Sequence, residues 1–448
     1  MYYGKTTLVA ILATLMSSLV QAGVSADEAK QLGNSLTPIG AEKAGNKDNS
    51  IPAYTGGLTT PPAGFKAGDG QRPDPFAGEK PLFVIDGKSQ ANYAELLTEG
   101  TKALLQKYPD FRVDVYKTQR TVAFPKFVET NTAKCAQSAQ TINDGRTIQG
   151  CHAGFPFPIP KTGFEAIWNH LVRYNGGPFV FDYKNWHVNS AGRPTLATSG
   201  TLSQHFPFWD KDKADNGIFL RQRILYTGPA RRVGEGLLVV DPLDFVDKDR
   251  RAWVYLPGQR RVKVAPDIAH DTPNPGSGGT ATFDDAYLFS GSLDRFDFKL
   301  IGKKEVIVPY NTYRLSFHTS AEQALKPNFV NPDAVRWERH RVWVVEANLR
   351  EGKRHVYSKR RFYLDEDSWT IVASEAYDAR GQIYRAGYAY QTPLYDLPAP
   401  YADLHAIYDL VGGGYSLIGH TADTGGVKSG VTAERDWTPD ALAGGGIR

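Results

Sequence analysis

Residues 355–390, HVYSKRRFYLDEDSWTIVASEAYDARGQIYRAGYAY, contain three stretches, 355–364, 370–377 and 383–390, whose side chains alternate in character. Alternation of period two places successive side chains on opposite faces of a sheet. The interruptions are short, and Ala379-Arg380-Gly381 supplies a turn. A connection of that length joins antiparallel neighbours and leaves no room for a crossover helix, so the stretch predicts a meander.

The same period extends upstream to about Gly217. Further strands are expected at 218–223, 252–256, 261–265, 296–301, 305–308, 313–318 and 335–347, with Pro257-Gly258 as another hairpin turn. So many strands in series must twist and curl toward a barrel, closed or open. Composition agrees, because 22 Phe, 23 Tyr and 8 Trp stand against two Met, a bias toward the flat, stiff side chains that sheets favour. The expected fold class is mainly β with a few α-helices. A large curled antiparallel sheet forms an incomplete barrel, with helices packed as a lid.

Two helices are expected, near 91–108 and 162–175. The first carries Tyr93, Leu96, Leu97, Leu104, Leu105 and Tyr108 at helical spacing and stops at Pro109. In the second, Thr162 and Glu165 read as a capping box, Phe164, Ile167, Trp168 and Leu171 form one apolar stripe, and Asn175-Gly176-Gly177 ends it. Residues 23–80 are broken by Pro52, Pro61-Pro62, Pro73 and Pro75, and read as an extended arm anchored by Ile51, Tyr54, Leu58, Phe65 and Phe76. The remainder, 81–448, reads as one domain.

Residues 1–22 read as a secretory signal: Lys5 precedes an apolar run from Leu8 to Val20, and small residues end at Ala22. No later stretch approaches the ~18 consecutive apolar residues of a membrane span. The expected localisation is therefore periplasmic. Cys135 and Cys151, with Asn143-Asp144-Gly145 between them, read as a disulfide in an exported chain. A formal charge of +4, from 52 basic against 48 acidic residues, argues against a dedicated nucleic-acid binder.

Several separate segments resemble one family of exported bacterial proteins, DUF1329, often labelled as outer-membrane lipoprotein-sorting proteins. They are Ile51-Pro52-Ala53-Tyr54-Thr55-Gly56-Gly57, Pro156-Phe157-Pro158-Ile159-Pro160-Lys161, Trp168-Asn169-His170, 253–261 (WVYLPGQRR) and Pro309-Tyr310-Asn311. The last section, with 361–369 (RFYLDEDSW) and 377–381 (YDARG), is similar to the LolA/LolB-like carriers. That resemblance implies an incomplete barrel around an apolar cavity that shields acyl chains. It also implies association with an efflux-type inner-membrane transporter and an outer-membrane protein.

There is no G-x-S-x-G elbow, no H-E-x-x-H helix and no P-loop, and Gly412-Gly413-Gly414 does not complete a dinucleotide fingerprint. The chain is expected to be no enzyme and to carry no cofactor and no metal. His170 reads as a structural hydrogen-bonding residue or a site. Asp284-Asp285 and Asp365-Glu366-Asp367 read as solvated turns in preference to calcium ligands, lacking the D-x-D-x-D alternation.

Two sets of residues are candidates for binding. Trp168, Trp253, Tyr255, Phe296, Phe298, Val342, Val344, Phe362 and Leu364 either line a hollow or fill a core. Arg232, Arg261 and Arg361, one from each of three arginine pairs, either join a lattice of ion pairs or dock an anionic headgroup. The leading expectation is a periplasmic carrier for lipid-like or other hydrophobic molecules, working with envelope transport machinery. The alternative is a ligand-free scaffold or adaptor of a transporter complex. A periplasmic hydrolase comes third.

Overall fold

The computed structural model describes residues 23–445, and the signal-peptide reading of residues 1–22 lies outside the described residues. Four short strands come first: β1 (Phe83–Ile85), β2 (Val113–Val115), and the hairpin β3 (Gln140–Ile142) with β4 (Thr147–Gln149), which forms a sheet of its own. A first meander follows: β5 (Phe179–Val188), β6 (Pro194–His205), β7 (Ile218–Gly228), β8 (Gly236–Pro242), β9 (Arg251–Leu256) and β10 (Arg261–Val264). A second comprises β11 (Phe296–Pro309), β12 (Trp337–Leu349), β13 (Lys359–Asp365), β14 (Ile371–Tyr377), β15 (Ile383–Ala389), β16 (His405–Asp409) and β17 (Tyr415–His420).

The two meanders fuse where β17 pairs antiparallel with β5, placing Tyr415 opposite Val188. The result is one 15-stranded sheet that does not close, with β10 at one edge, paired to β9, and β11 paired to β12 near the other. Nearly all pairings are antiparallel, as the meander predicts. One is parallel, where Val115 of β2 meets Trp337 of β12, so the sheet is mixed. A bulge at Leu300/Gly302 fuses the expected strands 296–301 and 305–308 into the single strand β11.

Local expectations fail where two periods coincide. Residues 313–318 form a π-helical turn at Arg314–His318, not a strand. Tyr313 and Phe317, four apart, pack in one core while Leu315 packs in another, so the alternation serves a helical turn running between two cores. The helix expected at 91–108 is broken. A 3-10 segment, Gln90–Leu96, ends at an extended Leu97, and Thr98 then caps α2 (Glu99–Lys107) by accepting from the Thr101 N–H. Two further helices flank the chain's first third: α1 (Ala26–Ala29), which precedes α2, and α3 (Lys126–Ser138), whose Val128, Thr132 and Cys135 face inward. The fourth, α4 (Gly163–Leu171), matches the second expected helix but stops at Leu171. Its Thr162 caps Glu165 as expected, whereas the Glu165 carboxylate accepts from Lys161 N–H, so the reciprocal half of the box is displaced by one residue.

Cys135 on α3 and Cys151 after β4 are disulfide-bonded, with Cα atoms 4.8 Å apart. Asn143, Asp144 and Gly145 take left-handed φ values of 53°, 55° and 80° and turn β3 back into β4, which brings the two cysteines together.

Residues 23–80 run over the sheet as a largely irregular arm, and their anchor is Arg120. Its Nε and Nη2 donate to both oxygens of Asp367 at 2.8 and 2.6 Å, while Nη2 also donates to the Glu42 carbonyl at 2.8 Å. The ring of Tyr54 lies 5.4 Å from the guanidinium, and the Tyr54 hydroxyl donates to the Val122 carbonyl. Asp365, Glu366 and Asp367 are therefore not a solvated turn. All three are buried beneath the arm, where Glu366 accepts from Lys303 at 2.8 Å and Arg341 at 3.3 Å. Asp284 and Asp285 are buried too, with Arg360 donating to Asp285 at 2.8 Å.

Removing one partner of a buried ion pair strands the other charge. Arg120→Ala is expected to cost about 3–5 kcal/mol of stability in urea unfolding and to open residues 42–54 to limited proteolysis. The double substitution Cys135→Ser/Cys151→Ser is expected to cost about 3 kcal/mol by the same measurement, since the disulfide closes a loop of 16 positions.

Candidate functional site

Alternate residues of β5 to β8 share one face of the sheet: Phe181 and Tyr183 on β5, Leu202 on β6, Ile224 and Tyr226 on β7, Leu237 and Val239 on β8. The intervening Leu238 and Val240 pack on the opposite face in a separate core with Trp437 and Leu442. Among the described residues no α-helix covers the first face. It is spanned by a strap, residues 265–290, and beneath the strap lies an open cleft with about 120 Å³ of space that water can enter. Ile268, Phe283 and Tyr287 of the strap complete its apolar wall.

The strap is held at its middle and toward its C-terminal end. Ser416 Oγ of β17 donates to the Ser277 carbonyl at 2.6 Å. Asp284 and Asp285 are clasped by His355, Tyr357 and Arg360. Burial opposes ionisation of Asp284, yet Arg360 and His355 outweigh it and hold the carboxyl well below the usual range. Tyr287 and Leu288 adopt left-handed φ values of 55° and 67°, a conformation that costs a non-glycine residue about 1–3 kcal/mol, and this turn directs the Tyr287 hydroxyl to the cleft's polar floor.

That floor is a network of neutral and compensated groups. Gln204 Nε2 donates to the Tyr287 hydroxyl at 2.7 Å and to Asp403 Oδ2 at 2.8 Å, and Gln222 Nε2 donates to the same hydroxyl at 2.6 Å. Arg173 lies 4.8 Å from the Tyr287 ring centre. His405 Nδ1 sits 2.7 Å from the Asp403 carbonyl, which can only accept, so Nδ1 carries the proton. Burial pushes the His405 imidazole down to about 4, against the hydrogen bond to that carbonyl. Burial also raises the Asp403 carboxyl, opposed by Arg173 and Gln204. At another part of the wall, Arg250 donates to both oxygens of Asp241 at 2.7 Å and to Ser290 Oγ at 2.8 Å.

The residues singled out in the sequence lie elsewhere. Trp168 is fully buried, stacked on Phe245 at 5.6 Å, and its Nε1 donates to the Gly145 carbonyl, so α4 is packed core and not a lid. Phe296, Phe298, Phe362 and Leu364 join the same core. Val342 and Val344 belong to a different one, because the register sets Val344 opposite Tyr363 and Val345 opposite Phe362. Val342/Val344 and Phe362/Leu364 therefore occupy opposite faces and cannot line one hollow. Trp253 and Tyr255 pack with Leu238 and Trp437. Of the arginines, Arg232 donates to Glu235 at 2.8 Å and covers the Tyr226 ring, and Arg361 donates to Glu346 at 3.0 Å. Arg261 is exposed on β10. Pairing accounts for Arg232 and Arg361, and no anionic headgroup is needed.

One other cluster brings ligand-type atoms together: His340, Asp365 and Asp367 lie buried with these atoms within 4.8 Å of one another. Arg120 already takes both oxygens of Asp367, His340 Nε2 faces Glu338 at 3.0 Å, and Asp365 Oδ2 accepts from Tyr310 and Gln391. Of the four Asp365 and Asp367 oxygens only Asp365 Oδ1 lacks a partner, so the group fits an interior charge network. His170 is likewise structural, with Nε2 3.0 Å from the Phe289 carbonyl and Nδ1 accepting from Ile371 N–H.

Comparison with known proteins gives the following. The family described as "Protein of unknown function (DUF1329)" matches residues 84–443. An uncharacterized protein of Pseudomonas aeruginosa is 38% identical over 443 residues, covering 97% of each chain. A crystal structure of a DUF1329 family protein from Desulfovibrio piger superposes with a TM-score of 0.40 at 15% identity, over 62% of this chain and 95% of that one. A LolA superfamily protein from Nitrosomonas europaea does so with a TM-score of 0.38 at 12% identity, over 63% and 100%. Among the described residues no helix is long and apolar enough to cross a membrane.

The depressed His405 pKa has a consequence for stability. Above pH 6.5 the ring is neutral in both folded and unfolded chains; as pH falls through 6.5 only the unfolded chain gains the proton, until the folded ring follows near 4. This stabilisation is present at neutral pH and lost on acidification, by about 3 kcal/mol in all. Urea unfolding from pH 7 to 4 is expected to give His405→Gln a flatter stability profile than the wild type, and parallel profiles would contradict the assignment.

Proposed function

The chain belongs to the DUF1329 family, and from that premise together with the cleft under the 265–290 strap we propose that it carries a hydrophobic, lipid-like molecule through the bacterial envelope. The observation that supports this reading is a hollow where the sheet face has every means to form a solid core. Its wall is apolar along four consecutive strands, and it encloses about 120 Å³ of space that water can enter, continuous with an open mouth. A ligand-free scaffold has no use for such a space. Binding here needs no covalent step.

The setting belongs to the same proposal. The N-terminal sequence reads as an export signal, and a disulfide suits an oxidising compartment such as the periplasm. An efflux-type inner-membrane transporter and an outer-membrane protein are the machinery between which such a carrier works.

The test uses 1-N-phenylnaphthylamine fluorescence with solvent extraction of the purified protein. Wild type is expected to take up the dye and to release a co-purified hydrophobic molecule. Ile224→Trp, which fills the cleft from a partly exposed position, is expected to melt normally and lose at least tenfold in dye affinity. Leu364→Arg, in a packed core, is expected to unfold the protein. A wild type that binds no dye and yields no extract would sink the carrier reading.

A further inference from the structure

The cleft's polar end carries information about the head of its ligand. Two residues on its wall, Asp403 and His405, are 4% and 2% exposed, and each leaves one atom with no hydrogen-bond partner: Asp403 Oδ1 and His405 Nε2. An unpartnered buried acceptor is costly, and these two belong to residues of one cleft wall, beside Gln204, whose Oε1 also lacks a partner.

Their chemistry is defined by what their neighbours already do. His405 spends its N–H on the Asp403 carbonyl, so Nε2 presents a lone pair. Asp403 Oδ2 accepts from Gln204, and Oδ1 remains. Both free positions thus call for hydrogen. The charges are already balanced: Arg173 is the cation that faces Asp403, and Arg250, the other cation on the wall, is matched two-to-two with Asp241. A carboxylate or phosphate head brings only acceptors against a lone pair and a carboxylate. An ammonium brings a charge with no uncompensated partner. An uncharged hydroxyl supplies a hydrogen to one of the two positions and brings no charge.

We infer that the cleft selects an uncharged, hydroxyl-bearing amphiphile, its apolar body along Phe181, Ile224 and Leu237 and its hydroxyl at Asp403 and His405. This deepens the carrier reading and rests on it. It also reverses the sequence expectation of an anionic headgroup at arginines.

The experiment is displacement of 1-N-phenylnaphthylamine from wild type by matched twelve-carbon competitors: 1-dodecanol, dodecanoate, dodecyl phosphate and dodecylammonium. Dodecanol is expected to compete about tenfold or more better than any charged competitor, the scale on which one satisfied buried acceptor acts. His405→Phe, which removes the acceptor but keeps an aromatic ring, is expected to abolish the preference for dodecanol while still binding the dye. His405→Gln, with a carbonyl oxygen to accept, is expected to restore part of it. Dye binding with no preference for the alcohol, or a preference for dodecanoate or the phosphate, overturns this inference and leaves the carrier reading standing. Failure of the wild type to bind dye or alcohol at all brings down both. The wild-type comparison decides the matter even if a variant fails to fold.

Discussion

Arg120 binds in two directions at once, and much of the molecule depends on it. On one side it grips the carboxylate of Asp367 at the turn between β13 and β14; on the other it collects carbonyls of the arm at Glu42, and more distantly at Lys43 and Pro52. A turn carrying three consecutive acids belongs in water on ordinary grounds, and this one lies inside because Arg120, Lys303 and Arg341 enter with it. Such an arrangement gains little over an apolar core of equal volume, but losing any member leaves a bare charge in the interior. The arm has almost no regular structure to hold it, and the ion network gives it a single place to lie. Trp369 Nε1, donating to the Ile39 carbonyl, fixes the same segment from below.

That closure divides the sheet into halves of different kinds. The half built from β11 to β14 has one face covered by α4 and the arm, and Phe298 and Phe362 there meet Phe289 of the strap edge to face or tilted, at centroid distances near 5.5 Å. The half built from β5 to β8 has the strap over part of it, while Phe179, Phe181 and Leu202 also pack with Tyr313, Phe317 and Tyr401. A strap spans a face without filling it, because its backbone must satisfy its own polar groups through tight turns and through anchors such as Ser416 and Arg360. The hollow follows from what covers each half, and strand composition differs little between them.

Much of this was legible in the residues. The meander of β13 to β15, its turn at 379–381, the disulfide and α4 with its Thr162 cap all follow from local patterns that the tertiary structure leaves undisturbed. The open sheet follows from strand number. The site does not. Phe179, Phe181 and Tyr183 alternate with Val180, Asp182 and Lys184 as plainly as any strand later in the chain, and that signal was available. Without β5, β6 and β8, however, the lining fell to apolar residues of α4, β9, β11, β12 and β13. The register of β12 and β13, which separates Val344 from Phe362, depends on pairing that no single strand encodes. Asp403 and His405 lie in a short segment before and at the start of β16, and only the fold brings Gln204 and Tyr287 to them.

A sheet that stops short of closing has rims, and each rim presents a row of amide hydrogens and carbonyl oxygens that a strand from another molecule can match. On β10 the sequence is Arg261-Val262-Lys263-Val264, with Val264 69% exposed, so an apolar surface stands beside an unpaired backbone. Arg261 and Lys263 place positive charge along that same row, and two copies brought rim to rim would face like with like. β11 meets the problem differently: Gly302 at φ 135° kinks it at the bulge, and Lys299, Lys303 and Lys304 crowd the bend. Self-association of this β-protein thus begins or fails at a few lysines and arginines along its rims, and solubility in this fold is a property of its unpaired ends.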